Sequence, residues 1–233
     1  TRRLGASAAC EQVRGVSVRR LPVFGGGALD SFCFLFGAFA WLMLHWREWD
    51  AVHAHLAGSP ALAAALAGRL LSRPVLVKLG GGRGIGELAA SSRTVWGRAK
   101  LRALGALRPR FLAVVADLIE EAREFLGPVP IEILPNGVDV ERFAPVDGAR
   151  RRSLRAAHGW DDGATVFIYM GRFAAEKRLA WFLRLWRVAA GDGAIAVLVG
   201  DGPKRSEIES EASLAGGRIQ ILAPREDLAG LYA

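Results

Sequence analysis

Residues Thr165–Lys177 read TVFIYMGRFAAEK, and this stretch decides the fold. Val166 to Met170 is a β-branched and aromatic run without a charge, the pattern of a buried strand. It stops at Gly171, and Arg172 and Lys177 follow on the loop that opens a helical pattern over Leu179–Ala189. A second run, Ala194–Val199, stops at Gly200-Asp201-Gly202-Pro203, ahead of a helix over Lys204–Leu214 and a third strand at Arg218–Leu222. Strands alternating with helices argue for a parallel sheet, with polarity inferred from connection length, and ligands of such units are expected beyond the carboxyl ends of the strands.

The same rhythm extends toward the amino terminus. Val16–Val23 is a candidate strand, followed by an apolar helix, a short strand Ala51–His55 and a helix Pro60–Leu71. Pro74–Leu79 is a strand that runs into Gly80, Gly81, Gly82, Arg83, Gly84, Ile85 and Gly86. A basic helix over Val95–Leu107 carries Arg98, Lys100 and Arg102. Phe111–Ala116, a helix Leu118–Leu126 and a strand Ile131–Leu134 complete this half. The loop Pro135–Asp139 ends that last strand, and the Pro-containing, charged passage after it, through Arg150–Arg152, is the candidate linker. The reading is α/β, with two Rossmann-like domains at 1–145 and 146–233.

Composition bounds the function. Half the chain is apolar (52%), enough for a substantial core. The balance of 31 Lys+Arg to 23 Asp+Glu gives +8, which favours nucleic acid, anionic lipid or phosphorylated metabolites without choosing among them. Cys10 and Cys33 make neither a disulfide framework nor metal-ligand spacing, as in a reduced cytoplasmic chain. No signal peptide opens the sequence, and the start at Thr1 without Met reads as a truncation. Ser31–Trp46, SFCFLFGAFAWLMLHW, is shorter than the roughly 20 residues of a spanning helix. It is either a helix buried against a sheet or one lying in a membrane interface.

Chemistry concentrates at the strand ends. Gly171 allows a ligand near the backbone. Arg172 offers a planar fork of donors and Lys177 a compact charge, a combination suited to a diphosphate; the plain alternative is a surface pair flanking a turn. Gly200–Pro203 is a second close-approach loop or a simple strand-to-helix turn with Pro at its start. His53 and His55 share a strand face, but two nitrogens without a third ligand do not make a zinc site. The run through Gly86 matches neither G-x-G-x-x-G nor a P-loop. A pI near 10.4 and Arg clusters at 108–110 and 150–152 raise nucleic-acid binding, yet no RRM, KH or zinc pattern accompanies them. A Rossmann oxidoreductase would need the dinucleotide fingerprint, which is missing.

Four phrases, ILPNGVDVERFAP, YMGRFAAEKR, LVGDGPKRSEIE and ILAPREDLAGLY, resemble in this order the retaining glycosyltransferases of family 4. That resemblance implies the GT-B fold, two Rossmann-like domains facing a cleft. It implies catalytic roles for Arg172 and Lys177 on the donor diphosphate. Gly171, Gly200, Asp201 and Gly202 would line the nucleotide, with Leu222 and Ala223 beside the base. His53, His55, Gly80, Gly81, Asn136 and Gly137 would lie on the sugar or acceptor side. The family's histidine after the strand matching Pro74–Leu79 has no counterpart here, where Lys78-Leu79-Gly80-Gly81-Gly82 stands.

The implied reaction moves a sugar from a nucleotide-diphosphate sugar to an acceptor hydroxyl with retention, without metal or cofactor, in glycan, lipid-glycan or polysaccharide synthesis. The partners are a nucleotide sugar and an acceptor of unassigned identity, with peripheral membrane contact and no nucleic acid. Against the family pattern both domains are incomplete: the first strand, the glycine-rich acceptor loop and a glutamate pair are missing, so the chain by itself is expected to be inactive. A GT-B nucleotide-sugar epimerase would use the same diphosphate residues and is the alternative, ahead of a basic nucleic-acid-binding protein.

Overall fold

The computed structural model describes residues 1–3, 7–25, 27–82 and 86–232. They form two compact units, Thr1–Asn136 and Gly137–Ala233. Arg83, Gly84 and Ile85 of the glycine-rich run lie outside the described residues, as does Ala233.

The first unit opens with a two-stranded antiparallel ribbon, β1 (Cys10–Val13) and β2 (Val16–Arg19). The sequence reading has one longer strand here, Val16–Val23, and no partner. The chain turns through Arg14 and Gly15, both at positive φ (49° and 82°), as the tight two-residue hairpin turn requires. Helix α1 (Ala28–Leu44) follows, then β3 (Val52–His55), α2 (Ser59–Leu71), β4 (Val75–Lys78), α3 (Glu87–Ser92), α4 (Val95–Leu107), β5 (Arg110–Ala113), α5 (Asp117–Leu126) and β6 (Ile131–Ile133). The sheet is parallel, in the order β3-β4-β5-β6.

Small residues explain the layer beside it. Ala61, Ala63, Ala64, Ala65 and Ala67 of α2 are all buried, so neighbouring backbones approach closely. A Cβ on Gly68 would lie 2.3 Å from Val75 and 2.8 Å from the Arg73 carbonyl. Thr94 caps α4 by accepting from the Gly97 N–H at 3.0 Å. Of α1, only Phe34 and Leu35 are buried, while Leu29, Phe32, Phe36 and Leu44 stay exposed. The helix is not buried as a whole: one stripe packs and the opposite, apolar stripe meets solvent. Among the described residues no helix is long and apolar enough to cross a membrane.

The second unit contains α6 (Gly148–Ala157), β7 (Thr165–Met170), α7 (Leu179–Ala189), β8 (Ala194–Val199), α8 (Arg205–Ala215), β9 (Arg218–Leu222) and the short α9 (Ala229–Tyr232). Its sheet is parallel with β8 central, and Ile195 to Val199 are buried, as a strand covered on both faces demands. The passage through Arg150–Arg152 is no linker. It is the first half of α6, started by Asp147, whose carboxylate accepts from the Arg150 N–H at 2.7 Å. Arg155 on that helix is buried and donates to the Asp161 and Ala164 carbonyls.

Candidate functional site

Register builds the site in the second unit. Met170 pairs with Val199 and Val199 with Leu222, so Gly171, Gly200 and Ala223 leave the sheet at one edge. The Gly171 N–H donates to the Val199 carbonyl, and the Gly200 N–H to the Leu222 carbonyl, each at 3.0 Å. Beyond that edge the two glycine loops bind each other. The Phe173 N–H donates to the Asp201 carbonyl at 2.8 Å, and the Phe173 carbonyl accepts from the Lys204 N–H at 3.0 Å. The Phe173 ring anchors the pair, fully buried in a cluster with Leu179, Leu183, Leu198 and Ile208.

This arrangement explains the glycines. Gly200 and Gly202 adopt φ of 153° and 156°. A Cβ on Gly200 would sit 1.9 Å from the Gly171 carbonyl oxygen, and one on Gly202 2.4 Å from that of Phe173. Both glycines are needed because the other loop's backbone fills the space a side chain would take. Gly171 differs: its missing Cβ faces the Tyr169 hydroxyl at 2.9 Å. That hydroxyl donates to the Arg172 carbonyl at 3.0 Å, and its pKa is raised by burial and by nearby Glu176.

On this frame sit two exposed cations. Arg172 follows Gly171, and Lys177 ends a single 3-10 turn, Ala175–Lys177, before Arg178 enters α7 in the left-handed region. Neither side chain has a hydrogen bond or ion pair among the described residues, so an anion would be their first charged partner. A cavity of about 360 Å³ at the sheet edge is lined by Met170, Gly171, Arg172, Val199, Gly200, Asp201, Pro224 and Leu228. Lys177, Gly202, Leu222 and Ala223 lie outside its lining. Asp201 braces its own loop, accepting from the Gly202 N–H at 2.8 Å and standing 3.7 Å from Arg205. Arg205 is a cation the sequence reading missed; Lys204-Arg205, directly after GDGP, was the available signal.

The carboxyl edge of the first unit is built differently. His53 and His55 are exposed and stacked, ring centroids 4.5 Å apart. They line a cavity of about 570 Å³ with Phe34, Trp41 and Arg19. Partial burial, then His55 and Lys78, lower the His53 pKa. Gly80 and Gly81 do not present free N–H groups: both donate to the Glu87 carboxylate, at 2.9 and 3.2 Å. Glu87 was also missed, although an acid opening a helix after a glycine run could have flagged it. Asn136 and Gly137 are exposed, at the division between the units. No cluster of three or more metal-ligating side chains occurs among the described residues.

Parallel sheets flanked by helices, with glycine loops at a strand edge, define an α/β protein of the GT-B kind. The model of the family described as Glycosyltransferase Family 4 matches residues 1–142, and the chain belongs to that family. An alpha-D-kanosaminyltransferase of Streptomyces kanamyceticus is 31% identical over 232 residues, 88% of this chain and 58% of the relative. The Anabaena HepE crystal structure in complex with UDP-glucose matches with TM-score 0.70 at 17% identity, over 93% of this chain and 58% of that one. UDP-GlcNAc 2-epimerase from Neisseria meningitidis, bound to UDP-GlcNAc, matches with TM-score 0.54 at 16% identity, over 89% and 58%. The chain thus spans a little over half the length of each.

Proposed function

We propose that the protein is a retaining glycosyltransferase that moves a sugar from a nucleoside-diphosphate sugar to an acceptor hydroxyl in glycan, lipid-linked glycan or polysaccharide synthesis. The observation that carries this is the pair of interlocked glycine loops at a strand edge, with Arg172 and Lys177 beside them and without partners among the described residues. The kanosaminyltransferase relative and the UDP-glucose complex of HepE support the donor class. In this reading the bond from the anomeric carbon to the diphosphate breaks, and a bond from the acceptor oxygen forms on the same face. The acceptor proton passes to a diphosphate oxygen, so neither a metal nor a protein base is required. Arg172 and Lys177 stabilise the negative charge that develops on the leaving group.

Gly171, Gly200, Asp201, Gly202, Leu222 and Ala223 are assigned to the nucleotide. His53, His55, Gly80, Gly81, Asn136 and Gly137 are assigned to the sugar or acceptor. Peripheral membrane contact is assigned to the exposed stripe of α1 and the basic face of α4, which meet where Phe32 packs on Trp96 (ring centroids 5.5 Å). Salt-sensitive sedimentation with anionic liposomes tests that contact.

The epimerase likeness favours a second reading, in which the same cations hold the same diphosphate but no acceptor is used. Product analysis of the full-length protein with a panel of nucleotide sugars separates the two. Transfer only with acceptor present, at the anomeric configuration of the donor, is expected. A 2-epimer formed without acceptor would overturn the transferase.

A further inference from the structure

We propose that the amino-terminal edge of the first unit's sheet carries a second anion site, which takes the phosphate group of a small organic phosphate. This edge is opposite the one bearing His53, His55, Gly80 and Gly81. It holds a cleft of about 790 Å³ walled by Arg69, Arg73, Arg108 and Arg110 and floored in part by Val75 and Leu107. The four arginines come from four places in the chain: the last turn of α2, the approach to β4, the end of α4 and the start of β5.

Their surroundings leave them underused. Arg69 and Arg108 are exposed and make no hydrogen bond or ion pair among the described residues. Arg110 faces Glu132 at 3.6 Å and Arg73 faces Asp50 at 4.0 Å. Both carboxylates are largely exposed, so these pairs are loose and solvent-screened. The arginines are not needed as helix caps either. The Gly68 carbonyl already accepts from the Ser72 and Arg73 N–H groups, and the Leu104 carbonyl from that of Arg108. Arg108 moreover stands at φ 50°, a cap position where glycine is the usual occupant.

One wall is held rigid. The Arg73 guanidinium lies over the Trp49 ring at 5.0 Å and the Trp46 ring at 5.8 Å. Four arginines line one cleft, and the planar fork of a guanidinium matches the paired oxygens of a phosphate. The apolar floor suits the organic remainder, and the volume is that of a small-molecule site rather than a polymer groove. The phosphate has two sources, a soluble metabolite or a lipid headgroup.

The experiment uses the full-length protein carrying Arg172→Ala and Lys177→Ala, so that the second unit's cations cannot report. Inorganic phosphate is titrated calorimetrically, and vesicles of phosphatidic acid in phosphatidylcholine are co-sedimented. Arg69→Gln with Arg108→Gln is compared with this parent, and Arg69→Lys with Arg108→Lys retains the charge without the fork. Circular dichroism checks folding, and both residues are surface-exposed. The parent is expected to bind at least one probe, the Gln pair to bind it at least tenfold more weakly, and the Lys pair to fall between. Binding of free phosphate identifies a soluble ligand, and binding of vesicles alone a headgroup. A parent that binds neither probe, or a Gln pair that binds as the parent does, overturns the site.

Discussion

The two parallel sheets end in glycine at comparable places, yet their carboxyl edges are wired in opposite ways. In the first unit the N–H groups of Gly80 and Gly81 are engaged by the Glu87 carboxylate, so a negative group of the protein already occupies that turn. In the second unit the loop backbone is engaged by another loop's backbone, and the positive side chains are left over. Glycine at a strand end therefore does not by itself mark an anion site. What matters is whether the donors around it are already matched from within the chain.

Gly200→Ala attacks the second edge most directly. A methyl group 1.9 Å from the Gly171 carbonyl forces the loops apart, and overpacking of this kind costs about 3 kcal/mol. The urea midpoint should fall accordingly, whereas Gly137→Ala, with nothing within 4 Å of its Cβ, should leave it in place. An unmoved midpoint in Gly200→Ala breaks the interlocked-loop account.

Arg172→Ala and Lys177→Ala sharpen the contrast from the side of function. If the proposed diphosphate contact holds, each substitution removes a charge-assisted hydrogen bond worth about 1.5–3 kcal/mol, and kcat/KM for the nucleotide sugar should drop roughly 10- to 150-fold. Thermal midpoints should stay put, because neither side chain has a partner among the described residues. Kinetics indistinguishable from wild type in both would remove them from the diphosphate.

Glu87→Ala probes the first edge. Two N–H groups lose their acceptor, and since water can reach this turn the loss should be about 1 kcal/mol. Hydrogen exchange at Gly80 and Gly81 is the sharper readout and should quicken. Protection identical to wild type means that the carboxylate does not hold the turn in solution.

The smallest effect is the pH response of His53. Its folded-state pKa lies below the ordinary histidine value of 6.5. The unfolded chain therefore takes up the proton first as pH falls. Stability is complete above 6.5 and is lost progressively as pH drops through the lowered value. His53→Asn should flatten the decline of the thermal midpoint between pH 7.5 and 5. A proton NMR titration of the His53 ring with its midpoint at or above 6.5 contradicts the direction.

Much of this was legible in the sequence, and the failures have physical causes. β7, β8 and β9 stand where the apolar runs stop at glycine or at a loop, and α4 and α7 match their patterns end to end. Helix α6 escaped because GARRRSLRAA has a single large apolar residue, Leu154, and no stripe to betray a period; its inward-facing group is Arg155. β1 escaped because its register rests on the Arg14-Gly15 turn rather than on a buried face. At the candidate site the residue types could be read, but the reason for Gly200 and Gly202 could not. Their neighbours, Gly171 and Phe173, lie 29 residues earlier in the chain, and no local pattern encodes that meeting.

One consequence of the Phe173 bridge is mechanical. Its N–H and carbonyl both reach across to the other loop, so the ends of β7 and β8 behave as a single latch. Opening either loop breaks both bonds together and draws a fully buried ring toward water. The Phe173 and Lys204 amide protons should then exchange with solvent at one shared rate.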